Sequence, residues 1–258
     1  MKATLKTLAA ALVLGVTAIG AASAEPVKVG VAAEPFPPFA SPDANGKWVG
    51  WEIDIINAVC EKAKLDCQIT PVAWDGIIPA LTSGKIDLIM ASMSITDERK
   101  KVIDFSDKYY ESPAAIAGAK GVDLKPTLEA MAGKIVAAQV STTHAAYAKK
   151  HFTRSEIKEY QTGDEELQDL AAGRVDAVIS EEMTIDEYVK SSQGSACCED
   201  KGRVASDVDI YGPGIGAGLR KGDDSLREKV NAAIKATRAD GTYQKITAGY
   251  FKSDIYGD

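Results

Sequence analysis

The chain predicts an α/β fold made of two similar lobes around one cleft, and three observations carry that prediction. Short apolar strand patterns alternate with amphipathic helical ones, as when helices cover largely parallel sheets. Residues 81–92 are echoed by residues 170–181, each reading as a helix end, a glycine, a basic residue and an apolar strand holding one aspartate. The length of 258 residues, 45% hydrophobic and 26% charged, suits one large or two modest domains.

Residues 1–24 are read first, as an export signal. Lys2 and Lys6 precede an apolar, small-residue run, and Ala22-Ser23-Ala24 closes it with a small-x-small cleavage pattern. The run is too short and too rich in Ala and Gly for a membrane anchor. No cysteine follows the cleavage point, which argues against a lipid anchor. Residues 28–32 then read as a strand, followed by a loop with Pro35, Pro37 and Pro38 and a turn at Asn45-Gly46. Helix is expected over 52–63, strand over 67–72, helix over 77–82 and strand over 86–90. A second, weaker echo pairs residues 28–31 with 134–137, so that each half opens on a strand. Residues 144–150 and 225–237 read as helices, and the Gly-rich run 212–218 as the return to a strand.

Export permits disulfides. If the helix ran unbroken from Cys60 to Cys67, two turns would hold the sulfurs about 10 Å apart, too far for a bridge. Pairing therefore requires the chain to leave the helix near residues 64–66. The adjacent Cys197 and Cys198 are either free thiols or a strained bridge.

Several function classes are excluded by composition. The formal net charge is −7, and removing residues 1–24 takes two lysines and no acid. Neither a nucleic-acid footprint nor a basic lipid-binding patch fits such a chain. His144 and His151 are the only histidines, and no zinc-site spacing surrounds them, so no metal or cofactor is expected.

In open α/β sheets the ligand crevice lies beyond the carboxyl ends of the strands. That rule places Ser92 and Ser94 at one strand end and Glu181 at its echo, with Glu34, Phe36, Ser141 and Thr142 beyond the two opening strands. Arg99 stands one turn into a helix that Thr96 can cap, where a guanidinium suits a carboxylate; the same position suits a plain solvated charge. Ser141 and Thr142 precede a helix whose first N–H groups favour an anion, while also serving as ordinary caps. Glu181 suits an ammonium group, with Glu182 as the competing position on the opposite face. Phe36 and Trp74 lie in strand-to-helix loops, placed to flank an alkyl or cationic side chain.

In order along the chain come Pro37-Pro38-Phe39, Gly50-Trp51-Glu52-Ile53-Asp54, Trp74-Asp75-Gly76-Ile77-Ile78-Pro79, residues 92–99, Asp104-Phe105-Ser106-Asp107 and Ala239-Asp240-Gly241-Thr242-Tyr243. With these motifs the whole mature chain resembles the periplasmic polar amino-acid receptors of bacterial ABC importers. The resemblance implies a type II periplasmic-binding-protein fold: two lobes, each a mostly parallel sheet flanked by helices, joined by two hinge strands. Its boundaries are 25–111 and 209–258 for the first lobe and 112–208 for the second. It implies a disulfide between Cys60 and Cys67, a monomer in the periplasm, an amino-acid ligand, and an inner-membrane ABC permease as partner. Arg99 would hold the α-carboxylate with Ser141 and Thr142, Glu181 the α-ammonium, and Phe36 and Trp74 the side chain, with Ser92 and Ser94 lining the first lobe. Three departures stand out. Glu181 replaces the usual Asp, Val140 a frequent Gly, and Ala33 the acid that reads a basic side chain. Glu34 or Glu52 is then the candidate for that last task. The alternative reading is an exported enzyme of the same fold, of the cyclohexadienyl or arogenate dehydratase kind.

Overall fold

A computed structural model of the chain describes residues 25–257. The export signal predicted for residues 1–24 lies outside the described residues.

The chain opens with β1 (Val27–Ala32), a ribbon of β2 (Ser41–Pro42) and β3 (Trp48–Val49), and helix α1 (Trp51–Ala63). Next come β4 (Cys67–Val72), α2 (Ile77–Thr82), β5 (Leu88–Ile89), the short α3 (Asp97–Lys100) and β6 (Asp104–Tyr110). Residues 111–113 belong to no strand and lead into β7 (Ala114–Ala119). Then follow β8 (Ile135–Gln139), α4 (Thr143–His151), β9 (Glu156–Tyr160), α5 (Gly163–Ala171), β10 (Ala177–Glu181), α6 (Glu182–Lys190), α7 (Ser192–Cys197) and β11 (Cys198–Arg203). The return passes α8 (Val208–Tyr211) to β12 (Ile215–Leu219), α9 (Asp224–Ala239) and α10 (Thr242–Thr247).

Two five-stranded sheets result, ordered β4-β1-β5-β12-β6 and β9-β8-β10-β7-β11. The first three strands of each are parallel. The fourth runs against both its neighbours, so four of five strands point the same way. That fourth strand is where the chain arrives: β7 on entering the second lobe, β12 on returning to the first. Each lobe is thus an α/β layer with one reversed strand. The sequence echoes fall on equivalent places, since β1 matches β8 and β5 matches β10 in sheet order.

The aspartate in each echo has a structural task. Asp87 accepts the Lys28 N–H at 3.0 Å, and Asp176 accepts the Ile135 N–H at 2.8 Å. Each thereby ties the start of its echo strand to the start of the neighbouring strand, β1 or β8. The expected strand 86–90 is reduced to Leu88–Ile89, but its backbone still bonds to β1 at both ends, through Asp87 and Met90.

The first lobe packs on Trp51, Phe39, Tyr109, Tyr110 and Tyr243, all essentially sealed from solvent. Phe39 carbonyl oxygen would sit 2.3 Å from a Cβ on Gly50, whose φ is +128°, so only glycine lets the loop reach α1 here. The second lobe closes on Ile116, Val136, Tyr147 and Phe152. Helix α1 ends at Lys64 in the left-handed region (φ 55°), and β4 begins at Cys67, which brings Cys60 and Cys67 into a disulfide. Cys197 and Cys198 are bonded to each other, so of the two readings open for that pair the bridge is the one observed.

Candidate ligand-binding site

The carboxyl ends of both sheets face a cleft of about 620 Å³, counting its open mouth. Glu34, Phe36, Trp74, Ser92, Ser94 and Arg99 line it from the first lobe, and Gln139, Thr142, Thr143, His144, Glu166, Ser180 and Glu181 from the second.

Arg99 is set by its helix start. Thr96 accepts the Arg99 N–H at 3.2 Å and so caps α3. One guanidinium nitrogen donates to the Ser94 carbonyl at 3.0 Å, and another crosses the cleft to the Ser141 carbonyl at 3.2 Å. The group lies 5.4 Å from the centre of the Trp74 ring. Burial lowers its pKa to about 10, so it stays cationic at neutral pH. Two of the five N–H donors of a guanidinium are spent on these carbonyls, and the rest can grip an anion.

Trp74 also crosses the cleft, its indole N–H donating to the Val140 carbonyl at 3.1 Å. Phe36 stacks on Phe39 with ring centres 5.5 Å apart, anchoring the cleft wall to the core. Glu34 lines the cavity, and its carboxylate accepts the Trp74 N–H at 3.2 Å, which fixes the aromatic loop.

Glu52 departs from expectation. It is 1% exposed and does not reach the cavity. Its carboxylate accepts the Ser92 N–H at 2.8 Å and the Ser92 hydroxyl at 3.1 Å, and the Tyr109 hydroxyl completes the set. Because α1 starts beneath the strand ends, Glu52 points into the lobe and holds Ser92 from behind. Ser92 has φ 53°, a left-handed conformation that a residue other than glycine keeps only when its surroundings enforce it. Glu52 is therefore a positioning residue, not a reader of the ligand side chain.

On the second lobe, Thr142 caps α4 by accepting the Ala145 N–H at 3.1 Å, and donates to the Gln139 carbonyl at 2.6 Å. Its hydroxyl is committed to the helix start that faces the cleft. Ser141 is exposed, also left-handed (φ 60°), and outside the lining. It enters the site through its carbonyl on Arg99, not through the hydroxyl that was expected to help hold a carboxylate. Ser94 and Thr143 hydroxyls meet across the cleft at 3.4 Å.

Glu181 ends β10, is 4% exposed, and accepts the Tyr110 hydroxyl at 3.3 Å. Burial, then the negative charge of Glu52, raise its pKa to about 8. Glu182, the competing position, begins α6 and pairs with Arg203 at 2.5 Å outside the cleft lining. His144 and Glu166 are among the cleft residues that sequence reasoning did not single out. His144 follows the α4 cap, and burial together with Arg99 lowers its pKa to about 4, leaving a neutral imidazole. Glu166 lies near the start of α5, in an acidic run that reads from sequence as a helix N-terminus and nothing more.

Residues 27–253 match the bacterial extracellular solute-binding proteins, family 3. The chain is 37% identical to the L-arginine-binding protein of Pseudomonas aeruginosa over 254 residues, covering 97% of each. It is also 37% identical to the histidine-binding periplasmic protein of Salmonella typhimurium over 255 residues, covering 97% of this chain and 98% of that one. Among solved structures, an ancestral arginine-binding protein bound to glutamine aligns with TM-score 0.79 at 40% identity, covering 88% of this chain and 98% of that one. A two-lobed α/β fold, a cleft at the strand ends and these alignments over nearly the whole length agree: the chain belongs to the family 3 bacterial extracellular solute-binding proteins.

Proposed function

We propose that this protein captures a basic amino acid between its two lobes and delivers it to an ABC permease of the inner membrane. The observation that carries the reading is the charge pattern of the cleft, where one guanidinium, Arg99, faces three carboxylates, Glu34, Glu166 and Glu181. An α-amino acid uses Arg99 for its carboxylate and one acid for its ammonium group. The acids left over favour a further positive charge on the side chain. Phe36 and Trp74 offer flat apolar faces to the alkyl stem, and the α4 start adds N–H groups beside the carboxylate.

In this reading the closing bodies are residues 25–111 with 209–258, and residues 112–208. The chain works in the periplasm as a monomer after cleavage behind Ala24. The alignment over nearly the whole chain with relatives named as amino-acid-binding proteins supports a binding role for the cleft.

A thermal-shift and calorimetric screen of the mature protein against the amino acids tests the proposal. Ligand at 100 times its Kd adds about 2.7 kcal/mol of stability, and arginine, lysine, ornithine or histidine is expected to give the largest shift. Absence of a shift with all four, or turnover of prephenate or arogenate, would sink it.

A further inference from the structure

One carboxylate in the cleft has no protein partner. Glu166 is 3% exposed and lines the cavity with Gly163 and Gln139. Its Oε2 is sealed from solvent and makes no hydrogen bond. Buried carboxylates are ordinarily paired, because a carboxylate removed from water without a partner is strongly disfavoured. Burial accordingly pushes the Glu166 pKa well above the usual carboxylate range.

The helix does not need this side chain. Thr162 and Glu165 already form a complete capping box at the start of α5, each bonded to the other's backbone N–H at 3.2 Å. Nor does the core need it, since the carboxyl lies over Gly163, where even an added Cβ would stand 3.8 Å from Oε1. The other acids near the cleft are engaged. Glu181 accepts Tyr110, Glu34 accepts the Trp74 N–H, and Glu52 is bonded to Ser92 and Tyr109 behind the wall. Ala33, at the place where the resembling receptors carry a side-chain-reading acid, has no polar group and lies outside the cavity lining.

We infer that Glu166 is the subsite for the distal cation of the ligand, a guanidinium or primary ammonium, and that this subsite is supplied by the second lobe. The inference rests on the amino-acid reading given above. A cation arriving beside Glu166 restores the ionised carboxylate and satisfies the orphaned oxygen in one step. Selection between charged and neutral side chains is then made on closure, when the second lobe comes down, and not when the ligand first docks on Arg99 and the aromatic pair.

The test compares arginine with citrulline, its uncharged isostere, by titration calorimetry of the full mature protein. Wild type is expected to prefer arginine by about tenfold to a hundredfold, the range of a hydrogen bond to a charged group. Glu166→Gln keeps the shape and removes the charge. It is expected to abolish that preference by weakening arginine alone, with citrulline affinity held within about threefold. Equal loss for both ligands, or unchanged arginine affinity, would overturn the inference. Parity of the two ligands on wild type would do the same without any variant. If Glu166→Gln changes nothing while Arg99→Ala abolishes binding of both ligands, the inference fails and the amino-acid reading stands. If wild type binds no basic amino acid, both fall.

Discussion

The two lobes share a strand order and differ in what they present at the strand ends. In both, one strand, β1 or β8, is flanked by an echo strand whose aspartate clasps an N–H at the start of that strand, Asp87 on Lys28 and Asp176 on Ile135. Beyond those strands the first lobe offers a guanidinium, two aromatic rings and one carboxylate, Glu34, and the second offers two carboxylates, Glu166 and Glu181, with a capped helix start. One strand order thus carries two different sets of tips, and in the proposed reading the first lobe takes the ligand carboxylate and stem while the second supplies two of the three acids. Fold resides in the middles of the strands and function in their last residues.

Breaking the first lobe's contribution has the largest expected effect. Arg99→Ala removes the only cation among the described residues that line the cleft, and truncating one partner of a buried charged pair costs about 2–5 kcal/mol. Calorimetry is expected to show affinity for every α-amino acid falling at least about thirtyfold; retained affinity would remove Arg99 from the carboxylate role.

The second lobe is tested more finely through Glu181. Burial and Glu52 raise its pKa to about 8, so at neutral pH the proton stays on unless an ammonium group holds the carboxylate ionised. Binding therefore expels a proton, and affinity weakens as pH falls below about 8, by at most about tenfold per unit for each group so linked. Titrations from pH 8 to pH 6 with citrulline, whose uncharged side chain does not draw on Glu166, are expected to show this slope, and Glu181→Gln to flatten it and to weaken binding about tenfold or more. A slope that survives in Glu181→Gln would assign the proton to another group.

The smallest effect is expected at Ser141. Its φ of 60° is a conformation glycine adopts freely, and its tie to Arg99 runs through the carbonyl. Ser141→Gly is expected to shift stability by less than about 1 kcal/mol in thermal denaturation and to leave affinity unchanged. A large loss of affinity would show that the hydroxyl matters after all. The comparison with Ser92 is instructive, because that left-handed serine is clasped by Glu52 through both its N–H and its hydroxyl.

Much of this was legible in the sequence, and the limits have physical reasons. The echo was readable because strand, glycine cap and aspartate are local signals, and the exit of α1 near Lys64 followed from sulfur geometry once the Cys60–Cys67 pairing implied by the resemblance was granted. Arg99 and Glu181 were readable because the crevice rule locates strand ends from strand patterns. Glu52 was misread because its neighbourhood in the motif says nothing about which way the first turn of a helix faces. Glu166 was overlooked for the converse reason: three acids in a row at a helix start look like solvated charge, and only packing of the second lobe shows that the third is turned inward. Sequence likewise left Cys197 and Cys198 open, since adjacency permits either outcome.

The contacts that join the lobes across the cleft carry a consequence of their own. Trp74 and Arg99 reach over to the carbonyl oxygens of Val140 and Ser141, two consecutive main-chain acceptors. Every amino acid brings a carbonyl, so a substitution at 140 alters the side chain and keeps an acceptor, while at 141, with φ 60°, the same holds for residues that accept the left-handed region. The fastening of the cleft thus draws on the main chain of that loop rather than on its side chains.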